Sequence, residues 1–115
     1  MNWYIAKLVF QILNTNQKRQ FDEQLRLIEA GSYSEAMEKA TAIGMQEQDS
    51  FLDSANNQVH WQFIAVPELQ KLEHLQHGTE LYSKIEEREE EHYIQSMKMR
   101  ADTMLSSNTH RLISL

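Results

Sequence analysis

The five histidines are the side chains of this sequence best suited to metal binding or acid–base chemistry. His74 and His77 are three residues apart, and this spacing can place two imidazoles on one helical face, where they could share a metal ion. A metal site needs further ligands, and only Glu73, Glu80 or a distant carboxylate could supply them. The His-Glu-x-x-His zinc motif is missing. Solvated histidines at a loop edge are therefore the preferred interpretation, and we expect no metal and no cofactor.

His60 differs from the other histidines because it lies in an apolar segment beside Trp61. A partly buried histidine can titrate near neutral pH, so His60 could act with Glu80 or Asp22 as an acid–base pair. A glycosidase would instead need two carboxylates across a cleft, such as Glu80 with Asp22 or Glu23. Nothing in the pattern requires these side chains to face each other. A hydrogen-bonded or edge-facing His60 is the simpler interpretation, so an enzyme is a secondary hypothesis.

Other catalytic chemistries lack the residues that they need. The chain has no cysteine, which excludes disulfides, zinc–thiolate sites and cysteine nucleophiles. The Gly-x-Ser-x-Gly motif of serine hydrolases is missing, and three glycines provide no phosphate-binding loop. We therefore assign no catalytic residue.

The charge balance argues against nucleic acid as a partner. Seventeen acidic residues outnumber eleven basic ones, which gives a formal net charge of −6. Nucleic-acid-binding proteins present a basic face to the phosphates, whereas the lysines and arginines here are scattered. No apolar run approaches the roughly 20 residues of a membrane span, and no signal peptide is recognisable. Together with the lack of cysteine, these features favour a cytoplasmic protein that binds neither nucleic acid nor membrane.

The elements that would position these residues follow from the hydrophobic periodicity. A chain of 115 residues fits one domain, covering 1–115, and its last stretch, 106–115, has no periodic signal and is expected to fray. β-branched and aromatic residues predict a strand over 3–12. Alternation predicts a second strand over 20–29, where a helical period also fits. The polar residues 14–18 suit a hairpin turn between them.

A helix and a third strand are predicted next. Ser32 and Glu35 have capping-box spacing, and Gly44 either ends the helix that follows or marks a close approach within it. The third strand covers 59–66 and ends at Pro67, because proline cannot donate a hydrogen bond to a neighbouring strand. The remaining predictions are a short helical turn over 68–75, a fourth strand over 80–85 and an amphipathic helix over 87–105. The sequence therefore predicts an α+β fold of ββαββα order: a four-stranded, mainly antiparallel sheet with two helices packed on one face.

Several stretches of the sequence resemble an uncharacterised bacterial family, the domain of unknown function family 4288. The stretches are WYIAKLVF at 3–10, QFDEQLRL at 20–27, EA at 35–36, VHWQF at 59–63 and ELYS at 80–83. Each is short and mostly hydrophobic, so the resemblance depends on their order and spacing. Membership implies a compact bacterial domain without an assigned activity, and it leaves the function open.

The predicted strands are apolar on both faces. In the first strand, Tyr4, Leu8 and Phe10 share one face, while the other face carries Trp3 and Ile5. Strands with two apolar faces are normally covered on both, but the two helices cover only one. The second face is therefore expected to be covered by the 68–75 segment, the tail, a partner chain or a ligand. The alternative is that the sheet curls over and buries these residues within one chain.

The leading functional hypothesis is a non-enzymatic protein-interaction module. We expect it to form a homodimer through the sheet face or an edge strand and to bind another, unidentified protein. Trp3, Trp61 and Tyr82 are the expected aromatic anchors, and His60 and Glu80 are further candidates for the ligand or interface site. The alternative is a small-molecule-binding domain whose pocket these three rings line.

Overall fold

The computed structural model describes residues 1–15 and 19–114. The elements in chain order are β1 (Asn2–Asn14), β2 (Gln20–Ala30), α1 (Tyr33–Gln46), β3 (Asp49–Leu52), β4 (Gln58–Leu72) and α2 (Glu90–Ser114). The structure thus confirms the α+β class and the ββαββα order. Residues 16–18 of the predicted hairpin turn lie outside the described residues. The chain divides into two compact units, Met1–Ser83 and Lys84–Leu115.

The four strands form one curled antiparallel sheet in the order β2-β1-β4-β3. β1 is central: it pairs with β2 along one side and with β4 along the other. β2 is an edge strand of eleven residues, whereas β3 at the opposite edge has four. For residues 20–29, the strand prediction is confirmed and the competing helix is wrong.

The core of the first unit lies between α1 and one face of the sheet, which we call the α1 face. The buried cluster comprises Tyr4, Ala6, Leu8, Phe10, Ile28, Ala30, Ala36 and Ala40. Small side chains on α1 let the helix lie close to the strands. Gly44 is buried, and a Cβ atom added there would overlap the ring of Phe63. Of the two interpretations of Gly44, the close approach within the helix is therefore the right one.

The start of α1 is fixed by the predicted capping residues. The Ser32 Oγ accepts a hydrogen bond from the Glu35 backbone N–H at 3.1 Å, which satisfies one of the unpaired donors of the first turn. The Glu35 carboxylate in turn accepts the Gly31 N–H at 2.8 Å. This bond, with a smaller contribution from Lys39, lowers the pKa of Glu35. The sequence signal for this helix start is confirmed.

β4 does not end at Pro67, as predicted, but continues to Leu72. The short helical turn predicted over 68–75 is therefore wrong. Between the pairs Lys7–Glu68 and Val9–Ala65, β4 advances by three residues while β1 advances by two. An extra residue of this kind is a β-bulge, which leaves one residue out of the regular ladder. Among the described residues, β3 pairs with β4 no further than Trp61, so β4 has β1 as its one neighbour at Pro67, and the bulge takes this proline out of the regular ladder.

The fourth strand of the sheet is β3, which the sequence pattern does not predict. Its residues are all exposed and show no apolar alternation. β3 pairs with β4 across a turn in which the Asp53 carboxylate accepts the backbone N–H groups of Ala55 and Asn57, each at 2.9 Å. The strand predicted over 80–85 is wrong, because these residues lie in the irregular segment between β4 and α2.

The second unit contains α2, which continues beyond the predicted helix end at residue 105. Ahead of the helix, the Glu86 carboxylate lies 2.9 Å from Lys84 Nζ and 2.6 Å from Arg88 Nη2. Arg88 first and Lys84 second lower the pKa of Glu86 to about 2. No helix within residues 1–15 and 19–114 combines the length and apolarity needed to cross a bilayer. The single domain, its frayed tail and the packing of a second helix on the sheet stay predictions.

Candidate interaction surface

The face of the sheet opposite α1, which we call the second face, differs from the core face in its exposure. Successive side chains of a strand point to opposite faces, so the neighbours of the core residues in β1 belong to the second face. It includes Trp3, Ile5, Lys7 and Val9 from β1, Phe21, Glu23, Leu25, Leu27 and Glu29 from β2, and His60, Glu68, Gln70 and Leu72 from β4. One part of this face is covered by the chain and another part is open.

Lys7 lies in the covered part, with only 14% of its side chain exposed. Its Nζ donates a hydrogen bond to the Tyr82 Oη at 3.3 Å and forms an ion pair with the Glu68 Oε2 at 3.2 Å. The Tyr82 hydroxyl donates to the Glu68 Oε1 at 3.4 Å, and Glu23 Oε1 lies 3.9 Å from the ammonium. Hydrogen bonds with Tyr82 and then Glu68 raise the pKa of Lys7. The ammonium group is thus held charged between a phenol and two carboxylates.

Tyr82 belongs to the irregular segment that follows β4, residues 73–83. The Lys7 ammonium lies 5.1 Å from the centroid of its ring, so the ring covers the middle of β1. Ile5 and Leu72 on the same face are only 8% and 7% exposed. The cover expected for the second face thus comes in part from the chain itself, through a residue later than the predicted 68–75 segment.

We expect the substitution Tyr82→Phe to lower the pKa of Lys7 towards that of an ordinary lysine, because the Tyr82 hydrogen bond is the largest cause of the raised value. A raised lysine pKa stabilises the fold at pH values below the ordinary lysine pKa, and this contribution disappears as the pH rises through the raised value. Tyr82→Phe should therefore lower the free energy of unfolding at pH values below the ordinary lysine pKa. This difference from the wild-type chain should disappear as the pH rises through the raised pKa of Lys7. The measurement is a carbon NMR titration of the Lys7 side chain. Tyr33→Phe, at an exposed tyrosine of α1, is the matched control, and an unchanged titration in Tyr82→Phe contradicts the assigned role.

The open part of the second face lies on β2. Phe21, Leu25 and Leu27 are 63%, 51% and 46% exposed, and we call these three side chains the β2 edge surface. In the part of the chain that the structure describes, β2 has a neighbouring strand on one side only. A long edge strand with apolar side chains is a template for pairing with another chain, and proteins usually shorten or charge such edges. β3, at the other edge, is short, whereas β2 is not.

On its α1 face, β2 carries a row of polar side chains. The Gln24 Nε2 donates to Asp22 Oδ2 at 2.6 Å. Arg26 donates from Nε and Nη2 to the Gln24 Oε1 at 3.0 and 2.9 Å, and its Nη2 also lies 3.4 Å from Glu47 Oε1. Along its edge, the strand therefore presents three apolar groups together with Glu23 and Glu29 on one face, and an ordered Asp–Gln–Arg row on the other.

The three predicted aromatic anchors are not brought together. Trp61 packs against the core on the α1 face. Trp3 and Tyr82 belong to the other side of the sheet, where Trp3 pairs with Leu72. Since the sheet separates Trp61 from the other two rings, the three do not line one pocket.

His60 and Glu80, the two predicted polar site residues, lie near opposite ends of the sheet. His60 is opposite Leu13 in β1 and its Nδ1 lies 2.8 Å from the Ser50 Oγ. Glu80 lines a shallow depression with residues 70–74, and Gln70 is opposite Ile5. Eight residues of β1 separate these two pairing positions, about 27 Å at the rise of a strand.

The residues named by the other site hypotheses are not brought together either. Asp22 is opposite Phe10, on the α1 face, whereas His60 is opposite Leu13 and belongs to the second face. Their side chains therefore point away from each other. His74 lines the same depression as Glu80, but within the described ranges 1–15 and 19–114 no three histidine or carboxylate side chains could hold a metal ion together.

The fold and the surface define a small α+β domain with one covered sheet face, one tyrosine closing part of the other face, and one open edge strand. The model of the family described as Domain of unknown function (DUF4288) matches residues 3–83. The chain belongs to this family, as the resemblance predicts. The match ends at Ser83, where the first compact unit also ends, immediately after Tyr82. Comparisons with curated proteins and with solved structures gave no match.

Proposed function

We propose that the chain is a non-enzymatic protein-interaction module that forms a homodimer through the β2 edge. The observation that supports this proposal is the β2 edge surface, three large apolar side chains about half exposed on an eleven-residue edge strand. Complete burial of one such side chain stabilises an interface by roughly 1.5–3 kcal/mol, so three half-exposed ones supply a few kcal/mol. Strand pairing adds backbone hydrogen bonds to this contribution.

The placement of the other apolar groups favours association over a ligand pocket. Tyr82 covers the second face around Lys7, so the remaining exposed apolar side chains of this face lie mainly on the edge strand. Trp61 lies on the opposite face from Trp3 and Tyr82, so the small-molecule pocket expected from the sequence gains no support. A dimer of this kind would offer the combined second faces of two copies to a further protein.

Light scattering after size-exclusion chromatography, over a dilution series, tests the proposal. We expect the wild-type chain to have twice the chain mass at high concentration and to dissociate on dilution. The double variant Phe21→Ser/Leu27→Ser should be monomeric, because it removes apolar groups that would be buried between copies. Tyr33→Ser removes an equally exposed aromatic side chain from α1 and should leave the dimer intact. A wild-type chain that is monomeric at every concentration refutes the proposal.

A further inference from the structure

We infer that two copies of the chain pair β2 to β2 in a single register, with Gln24 of one copy opposite Gln24 of the other. The two four-stranded sheets then form one continuous antiparallel sheet of eight strands. This inference rests on the proposed homodimer and specifies its partner strand and its register.

Two-fold symmetry restricts how one edge strand can pair with a second copy of itself. An axis perpendicular to the sheet makes the two β2 strands antiparallel and keeps α1 of both copies on the same face. Each residue of one copy then lies opposite a residue of the second copy. The two are the same number of positions from the axis, one before it in the sequence and one after it. The strand sequence therefore decides which position of the axis gives favourable pairs.

With the axis at Gln24, each face has a complementary pair of opposed side chains, and Glu23 opposite Leu25 is the one charge–apolar pair. Phe21 lies opposite Leu27 of the second copy, so two of the exposed apolar side chains of the second face cover each other. On the α1 face, Asp22 lies opposite Arg26 of the second copy. Both pairs occur twice, because the contact is symmetric.

The same register extends the charge complementarity beyond the centre of the strand. Arg19, just before β2, lies opposite Glu29 of the second copy. Within one chain, Gln24 already bridges Asp22 and Arg26, so both charged groups are held along the free edge before pairing. Opposite charges in directly opposed positions favour a sheet register, and like charges disfavour it.

Neighbouring registers lose these pairs. With the axis at Glu23, two glutamates of the two copies lie opposite each other. With the axis at Leu25, Phe21 lies opposite Glu29, Asp22 opposite Ile28 and Glu23 opposite Leu27. This register has three kinds of charge–apolar pair, whereas the Gln24 register has one, Glu23 with Leu25. An axis at Arg26 opposes two arginines. The Gln24 register is the one in which the charged pairs have opposite signs and the apolar pair is preserved.

A single introduced cysteine tests the register, since the natural chain has none. Opposed residues of antiparallel strands have Cα atoms about 4.5–5.5 Å apart, within the range of a disulfide. We expect oxidised Gln24→Cys to run as a covalent dimer on a non-reducing gel. Gln20→Cys is the control, because two copies of residue 20 would be eight residues out of register, about 26 Å apart. Equal cross-linking of both variants, or none in Gln24→Cys, overturns the register.

Charge reversal gives an independent test by light scattering. Asp22→Arg alone opposes two arginines, and Arg26→Asp alone opposes two aspartates, so each variant should dimerise at least about tenfold more weakly than wild type. A mixture of the two variants restores opposite charges at every pair and should form a heterodimer. Failure of the mixture to associate overturns the register even if the wild-type chain is a dimer. A monomeric wild-type chain overturns the proposed function as well, so the two failures are distinguishable.

Discussion

Phe10→Ala is expected to lower the free energy of unfolding by about 3–5 kcal/mol, the usual effect of removing a buried aromatic side chain. Phe10 is fully buried at the centre of the core. Its ring meets the ring of Phe63 edge-on, with centroids 5.6 Å apart. The substitution therefore removes apolar burial and an aromatic contact together, and leaves a cavity between α1 and the sheet.

The control for this prediction is a substitution in β2, the strand that pairs with β1. Phe21→Ala makes the same chemical change at an exposed side chain, and it should change the stability of the monomer by less than about 0.5 kcal/mol. Urea denaturation at low protein concentration measures both variants. Small domains have total stabilities of about 5–15 kcal/mol, so Phe10→Ala should remove a large share of the total. Similar losses for both variants would show that the α1 face is not the main core.

Gly44→Val is the second large effect that we expect. An added Cβ atom at Gly44 would overlap the ring of Phe63, and the two γ-methyl groups of valine increase the overlap. Overpacking of a core typically destabilises by about 1–3 kcal/mol. The helix must move away from the sheet, or the Phe63 ring must leave its place beside Phe10.

Ala42→Val is the matched control for Gly44→Val. It introduces the same β-branched side chain into α1 at an exposed position, where only the lower helix propensity of valine applies. Near-ultraviolet circular dichroism and urea denaturation should show a loss of packing and stability for Gly44→Val alone. If both variants unfold at the same urea concentration, α1 does not approach the sheet as closely as described.

The first half of the fold follows from the sequence because its local signals agree with its packing. β1 has one face of apolar residues, and Tyr4, Leu8 and Phe10 of that face are buried as the alternation predicts. In β2, Glu23 interrupts the pattern, but it belongs to an edge strand and is exposed, where a charge is tolerated. Hydrophobic periodicity is reliable here because each strand has one face against the core.

The second half of the sheet depends on tertiary contacts that no local pattern reveals. Pro67 is a good reason to end a strand, but a bulge in β4 lets the strand continue past it to Leu72. β3 is stabilised by its pairing with β4 across the Asp53 turn and not by burial, since its own residues are exposed. The apolar residues of 80–85 predicted a strand, but Tyr82 is used as a cover for the second face instead.

For the candidate site, the excess of apolar residues indicates that a sheet face or edge needs a cover, and the sequence pattern singles out Tyr82. It does not single out Phe21, Leu25 or Leu27. In the sequence, Lys7 is only a charge that interrupts an apolar strand. Its contact with Tyr82 spans 75 positions of the chain, so no local pattern predicts it. The β2 edge surface can be recognised only once the strand order is known, because this order places β2 at an edge of the sheet.

The distance along the chain between Lys7 and Tyr82 also has a consequence for biosynthesis. β1 and β2 are adjacent in sequence and can form a hairpin early, but the residue that covers the second face is made 75 positions after Lys7. The hairpin is complete at Ala30 and Tyr82 follows 52 positions later, so at translation rates of 5–20 residues per second the delay is about 3–10 s. During that interval the nascent hairpin exposes apolar groups on both faces, and its β2 edge is already formed.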